Sequence, residues 1–348
     1  MRAALNNNSL LVASGHAEAS ALAMAEDIAS ILPSSGEVRL VPIASAGGVD
    51  NLRDLVFLRD VDLAIVPANL LAQTKLLEGQ LGPGLAQRLA YVTHLYPEEV
   101  HLLAGSRVDS VDGLRGQRVG VARDDGNARF TARDLFERLG VAPDLVDVRP
   151  ADALEQVRNG TLAAALLVGG KPLEIMAHLP KDGRLRLLHL PFPPGMEQAY
   201  IPASLRAEDY PALIPPGLSV ETVAVSAILM ANTGRGYEES ARRLARFVPE
   251  LFSGIAELSL ARRHPKWREL NIAAPLPGWT RLPAAEEWLR AAREQQAAAL
   301  QKGFDKFIDS MRSAGGRDIA PAERKKLLEE FVNWTRKSVG TTKVPGRP

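Results

Sequence analysis

The chain contains no cysteine. That excludes disulfides, thiolate nucleophiles and cysteine-held zinc or iron–sulfur centres. It is compatible with the cytoplasm and with a bacterial periplasm alike. A net charge is also lacking: 42 Lys and Arg stand against 41 Asp and Glu, a formal +1. There is thus no global field to draw nucleic acid or an anionic membrane surface. No apolar run approaches the roughly 18 residues of a membrane span; "AVSAILMA", 224–231, is far too short. The first twenty residues hold no apolar stretch ending in a small-residue cleavage site.

The common catalytic signatures are missing too. There is no GxxxxGK[ST]; "LVGGKP" lacks both the spacing and the hydroxyl. There is no GxSxG elbow and no HExxH. "GPGLAQ", 82–87, fails the dinucleotide pattern. The six histidines include no pair at ligand spacing on one helix. The expectation is that no metal is held, no cofactor is bound and no residue is catalytic.

What is present is alternation. With 348 residues the chain is long enough for two domains at roughly 150 residues each. "SLLVAS" (9–14), "EVRLVPIA" (37–44) and "VDLAIVPAN" (61–69) read as strands, the last with the continuous apolar centre of a sheet buried on both faces. Between them, 18–32 and 50–59 carry apolar residues at helical spacing. This βαβαβ pattern predicts a parallel α/β sheet. A second series starts at Glu99, with a strand ending at Ala122, a helix over 127–141 closed by Gly140, a helix closed by Gly160 and a buried strand over 161–170. Residues 191–216 are proline-rich and are expected to wrap the surface. "SVETVAVSAILMAN" (219–232) reads as a long central strand returning between lobes.

The end differs in character. Residues 281–348 hold 14 Lys and Arg against 9 Asp and Glu, a net of +5 that leaves −4 for the rest. Leu300, Phe304, Phe307, Ile308 and Met311 form one helical stripe, and Leu327, Leu328, Phe331 and Val332 another. Both are expected to pack on the body of the protein, ahead of a loose tail, "GTTKVPGRP".

Four strand-to-helix junctions could meet a ligand: "ASGHAEAS" (13–20), "ASAGGVDN" (44–51), "PAN" (67–69) and "ARDDGNAR" (122–129). In an open parallel sheet, ligands sit beyond the carboxyl ends of the strands, where helix N-termini offer free N–H donors. Each junction has a plainer account. Gly47 and Gly48 permit a tight turn, and Asp50, Asn51 and Asn127 cap helices. Four of them in one α/β layout make the case.

The order of these segments resembles the TAXI-type solute-binding proteins of TRAP transporters, in the type II periplasmic-binding-protein superfamily. The matching stretches are "SGHAEAS", "SAGGVDNL", "VDLAIV" ending in "PAN", "LYPEEVHLLA" (95–104), "VDSVDGLRGQRVGV" and "GTLAAALLVGGKP". "YPALIPPGLSVETVAVSAILMAN" (210–232) is the most specific. The resemblance covers about residues 9 to 290. It implies a two-lobe type II periplasmic-binding-protein-like fold, each lobe a mostly parallel sheet flanked by helices, plus a helical C-terminal extension. Lobe 1 would comprise 1–103 and 221–290, lobe 2 104–220, and the extension and tail 291–348.

The function it implies is a receptor that captures a small polar solute, of the amino acid or organic acid class, between the lobes. The receptor would hand the solute to the permease subunits of a TRAP transporter. The protein would be periplasmic, with its signal sequence outside this chain, monomeric, and without a nucleic-acid partner. The expected ligand contacts are His16, Ser45, Gly47, Gly48, Asn51, Asn69, Tyr96, Asp125, Gly126, Asn127 and Gly169. Tyr96 would supply a flat wall with a hydroxyl.

This chain departs from the family where a Ser-Gly-Thr junction reads "DGN". Asp125 there removes a donor and adds a charge that disfavours a carboxylate ligand. Asp50, Asp124 and Glu18 add acid, while Arg53, Arg123 and Arg129 could offset it. The solute then has a positive group, is zwitterionic, or belongs to another class. The alternatives are a ligand-binding sensor uncoupled from transport, an enzyme with His16 and Asp125 as an acid–base pair, and an interaction protein docking through its basic tail.

Overall fold

The computed structural model describes residues 8–16, 20–32, 38–123, 125–234, 237–260 and 263–313, together with residue 327. Its strands are β1 (Ser9–Gly15), β2 (Arg39–Ala44), β3 (Val61–Pro67), β4 (Leu89–Gly105), β5 (Arg118–Ala122), β6 (Asp144–Val148), β7 (Ala164–Gly169), β8 (Leu185–Leu187), β9 (Ile201–Arg206) and β10 (Ser219–Asn232). The α-helices among the described residues are α1 (Ser20–Ile31), α2 (Val49–Phe57), α3 (Ala68–Leu71), α4 (Thr74–Leu81), α5 (Leu85–Arg88), α6 (Gly126–Arg138), α7 (Pro150–Arg158), α8 (Glu174–Ala177), α9 (Tyr237–Leu258) and α10 (Pro283–Ser313).

Local chemistry explains most of these elements. In α1 the residues at helical spacing, Ala21, Met24, Ala25 and Ile28, are the buried ones. All seven residues of β3 are buried, as its unbroken apolar run requires of a central strand. Asp125 caps α6, and Gly140 follows that helix at φ +64°, a conformation that favours glycine. Pro150 sits in the first turn of α7, where its missing N–H is not needed.

The strands follow the path β2-β1-β3-β10-β4-β7-β5-β6, with β8 on β4 and β9 on β10. β1 pairs in parallel with β2 and β3, and β5 in parallel with β6 and β7. These two parallel groups are the centres of two α/β lobes. Two long antiparallel strands run through both. The first half of β4 and the second half of β10 lie together beside β3, as in the pairs Leu89↔Asn232 and Ile228↔Val66. Beyond that, β4 turns to β7 from Glu99 onward, and β10 pairs with β9 up to Ala224. The ladder slips between Ser226 and Ile228, next to Pro97. Pro97 has no N–H to give, so a break in the ladder falls there naturally.

Each lobe has its own core. Leu52, Leu55, Val66, Leu70 and Leu77 belong to one, and Val119, Val121, Leu135, Phe136 and Leu166 to the other. Asp62 is buried on β3 and stabilised by Arg243 Nη2 at 2.6 Å, Ser240 Oγ at 2.6 Å and the Leu11 N–H at 3.1 Å, which ties α9 to the sheet.

Two sequence expectations change. The second series does not begin at Glu99, because "LAYVTHLYPE" is already the first half of β4. The proline-rich 191–216 segment does not merely wrap the surface: it contains β9 and buries Met196, Tyr200 and Tyr210. The compact unit of the sheet ends at Leu282, and Pro283 opens a second unit. Within α10, Phe304 and Ile308 are buried while Phe307 is exposed. The Leu327–Val332 stripe, apart from Leu327, and the tail lie outside the described residues.

Candidate functional site

The four junctions converge where the strands of the first lobe end, against the N-terminus of α6 from the second. Asn51 is fully buried at the centre. Its Nδ2 donates to the carbonyls of Ile65 at 2.8 Å and Ser14 at 3.1 Å, and its Oδ1 accepts from Ser45 Oγ at 2.5 Å and the Gly47 N–H at 3.2 Å. One amide thus ties the ends of β1 and β3 to the loop after β2. It has little capacity left for a solute.

The lobes then meet through two bonds donated by glycine backbone N–H groups. The Gly48 N–H donates to Asn127 Oδ1 at 2.5 Å, and the Gly126 N–H donates to the Ala46 carbonyl at 2.8 Å. Glycine is required twice here. Gly48 has φ +58°, and a Cβ on Gly126 would lie 2.8 Å from the Gly47 carbonyl oxygen. The N-terminus of α6 is likewise engaged. Asp125 Oδ1 accepts from the N–H groups of Asn127 at 2.9 Å and Ala128 at 3.1 Å. The protein's own carboxylate occupies the place where a helix N-terminus would hold an anionic ligand.

A second contact between the lobes is a buried polar network. Asn69 Nδ2 donates to Thr131 Oγ1 at 3.0 Å and to the Tyr200 hydroxyl at 3.2 Å. That hydroxyl donates to Asp134 Oδ2 at 2.7 Å, and Asp134 also accepts from Gln73 at 3.0 Å and Arg138 at 2.9 Å. Burial and the Asp134 charge raise the Tyr200 pKa, so its proton stays on.

β4 forms the remaining wall, and it is built differently. Glu98 and Glu99 are adjacent and both buried. Glu99 is paired with buried Lys266 and accepts the Lys171 N–H at 3.1 Å. Glu98 has no such cation. Its Oε1 accepts from Ser20 Oγ at 2.9 Å, and its neighbours include Asp125, Glu99 and Tyr96. Desolvation, with the two acidic neighbours adding to it, pushes its carboxyl up to about 7. Tyr96 is 1 % exposed and packs edge-on to Trp267 with centroids 6.0 Å apart. It is therefore not an open flat wall. Its hydroxyl lies against Glu98 and Ser20 without completing a hydrogen bond of ordinary geometry. Gly169 leaves room beside them, since a Cβ there would lie 3.5 Å from Ser20 Oγ and 2.7 Å from Leu173.

His16 Nε2 is 3.6 Å from Asp125 Oδ2, beyond hydrogen-bond length. Asp50 faces outward and pairs with Arg53, making no capping bond to its own helix. Arg129 pairs with Asp147 at 2.8 Å. Arg53 and Arg129 are thus each matched to a carboxylate other than Glu98. Glu18 and Asp124 lie outside the described residues. No group of His, Asp or Glu among the described residues could hold a metal ion.

All eleven sequence-predicted residues fall on this seam or its β4 wall, but several bond to one another. Sequence reasoning missed Ser20 and Glu98. The available signal was a pair of acids, "EE", inside an otherwise apolar run, since a buried strand does not carry carboxylates without a reason. A separate cavity of about 560 Å³ lies beside the crossing strands, with Ala68, Tyr96, Tyr200, Ser226, Asn271 and Leu276 in its lining.

Comparison with known proteins gives the following. The NMT1-like family matches residues 19–261. The chain is similar to the alkanesulfonate-binding protein SsuA from Xanthomonas axonopodis pv. citri bound to MOPS, at 15% identity over 73% of this chain and 75% of that one, TM-score 0.42. It is similar to a mutant of ArgBP from T. maritima, at 11% identity over 74% and 94%, TM-score 0.41. It is also similar to the substrate-binding protein AbpA from Streptococcus pneumoniae bound to L-arginine, at 12% identity over 74% and 97%, TM-score 0.40.

Proposed function

The chain belongs to the NMT1-like family, and from that premise we propose that it is a periplasmic solute-binding receptor. It takes a small polar solute between its lobes and delivers it to the permease of a TRAP-type transporter, acting as a monomer and without catalysis. The observation that carries this reading is the seam itself. Two long strands connect two lobes, and the loops of one meet the α6 N-terminus of the other through a few hydrogen bonds. Each such bond contributes about 1 kcal/mol, so opening is inexpensive. A solute that touches both lobes only in the closed form shifts the balance toward closure. The division into lobes falls where β4 and β10 change partners, close to Glu99 and Ala224.

A role without catalysis is in keeping with the His16–Asp125 geometry. His16 and Asp125 do not form a hydrogen-bonded acid–base pair, and the other Asp125 oxygen is engaged as a helix cap. Coupling to a TRAP permease rests on the resemblance of residues 210–232. No helix among the described residues is long and apolar enough to cross a membrane.

Thermal-shift screening of the full chain against amino acids, organic acids and amines tests the receptor reading. A rise in melting temperature with one chemical class is expected. A well-folded protein with flat responses across the whole library would sink it.

A further inference from the structure

We propose that the solute carries a cationic nitrogen, an ammonium or guanidinium group, which docks on the Glu98 carboxylate between Ser20, Tyr96 and Asp125. This rests on the receptor reading above and narrows it to one class of solute.

Three observations converge. The first is the lack of a counter-charge. Glu98 is 4 % exposed, and among the described residues no basic side chain pairs with it. The nearby Lys266 is committed to Glu99 and Glu269. The charged or titratable groups facing Glu98 are Asp125 from the α6 junction and Glu99 and Tyr96 from β4, with His16 3.6 Å from Asp125. A buried carboxylate held this way is unfavourable unless something neutralises it.

The second is a group with incomplete bonding. The Tyr96 hydroxyl is buried against Glu98 and Ser20, close enough to interact with both but without a hydrogen bond of ordinary geometry to either. A buried hydroxyl whose hydrogen bonding is incomplete is destabilising, and such groups mark places where a ligand completes the bonding. An ammonium or guanidinium donates several hydrogen bonds from one centre. It can give one to the Glu98 oxygen not used by Ser20, and another to the Tyr96 hydroxyl oxygen.

The third is the loss of the usual anion site. The α6 N–H groups of Asn127 and Ala128 bond to Asp125, and that of Gly126 to Ala46. An anionic solute would have to displace the protein's own carboxylate and then sit beside it. Electrostatics on both walls therefore favour the same sign of charge in the solute.

Without solute a proton can take the cation's place. A carboxyl near 7 is protonated in acid and ionised above neutrality. Cation binding then releases a proton and tightens as pH rises.

The test is calorimetric titration of the full chain, stripped of copurified solute by mild denaturant exchange. The probes are agmatine, putrescine and L-arginine, set against glutarate, succinate and ethanesulfonate, which carry no nitrogen, at pH 5.5 and 8.0. At least one cationic probe is expected to bind, roughly 30-fold more weakly at pH 5.5, the ratio set by ionising a single carboxyl near 7. Glu98→Gln should lose roughly 30-fold or more in that affinity at pH 8.0, as for a buried charge pair that loses one partner. Its melting temperature should not fall, which separates lost binding from lost folding. Tyr96→Phe should weaken the cation roughly several-fold while leaving the pH dependence intact. Binding of glutarate, succinate or ethanesulfonate with the cations inert would overturn the inference and leave the receptor reading standing. Full cation affinity in Glu98→Gln would overturn it as well. Silence from these six probes and from the broad library overturns both.

Discussion

The two walls of the inter-lobe seam follow opposite rules. On the loop wall, polar groups are matched within the protein. Asn51 serves three segments, Gly48 and Gly126 bond across the lobes, and Asp125 fills the helix N-terminus. On the β4 wall, Glu98 is buried with a hydroxyl for a partner and Tyr96 with an incomplete one. Glycine and asparagine at strand ends look like ligand contacts in the sequence, yet here they assemble the frame. The groups left without matched partners lie on β4, where Tyr96 was an expected contact and Glu98 was not. His101, three residues further along β4, shows what a matched group on the same strand looks like. Its Nδ1–H donates to the Glu99 carbonyl at 3.0 Å, and its Nε2 accepts from the Tyr210 hydroxyl at 2.7 Å, which in turn accepts from the Leu173 N–H at 2.8 Å. Burial holds its pKa down at about 3, so it stays neutral.

The largest expected effect breaks the matched wall. Asn51→Ala removes the amide that joins β1, β3 and the loop, leaving buried carbonyls and the Gly47 N–H unpaired. A loss of about 3–5 kcal/mol in unfolding free energy is expected by denaturant titration. A loss below about 1 kcal/mol would show that the wall is held by other contacts.

The next substitution relieves the unmatched wall and has the opposite sign. The folded pKa of Glu98 is raised above its unfolded value, so its contribution is most favourable below about 4.5 and is lost as pH climbs through 7. Glu98→Gln removes this dependence. At pH 8 the solute-free variant should be more stable than the parent by about 3 kcal/mol, with little difference at pH 4.5. Denaturation curves at the two pH values decide it, and an equal gain at both would place the effect elsewhere.

Tyr210→Phe unmatches the control on β4. The Leu173 N–H and His101 Nε2 lose their partner, and about 2 kcal/mol should go at pH 8. The parent's His101 term works against the Glu98 term. A histidine with a lowered folded pKa contributes stability that is full above about 6.5 and falls as pH drops toward 3. His101→Gln should flatten that acid limb in the same measurement.

Gly48→Ala acts on the contact between the walls. The positive φ, and a Cβ 2.9 Å from the Gly126 carbonyl carbon, should disfavour closure by about 1–2 kcal/mol. Small-angle scattering should report a larger radius of gyration without unfolding. Asp50→Asn comes last. Asp50 is exposed and pairs with exposed Arg53, so a change under about 0.5 kcal/mol is expected.

How much was legible follows from the range of the forces involved. Alternating strands and helices were readable because periodicity and capping are local: the apolar stripe of α1, the saturated run of β3 and the Asp125 cap lie within a few residues of the chain. The long apolar run of residues 219–232 likewise placed β10 with its observed bounds. The first half of β4 was missed because its alternation is interrupted by His94, Pro97 and two acids. β9 was missed because Pro202 within it and the prolines on either side read as loop.

The sequence by itself determined the two-lobe α/β layout, the glycine junctions and the absence of thiol chemistry. Tertiary structure alone decided which polar groups remain available. Ser20 and Glu98 are 78 residues apart, and Gly48 and Asn127 79. The Gly48–Asn127 pair depends on how the lobes close and the Ser20–Glu98 pair on how α1 sits against β4, and no local pattern encodes either. The same holds for charge. Glu98 and Glu99 are identical neighbours in the chain, yet Lys266 from a distant segment reaches one of them. Desolvation without a counter-charge then leaves the other as the group in the seam most in need of a cation.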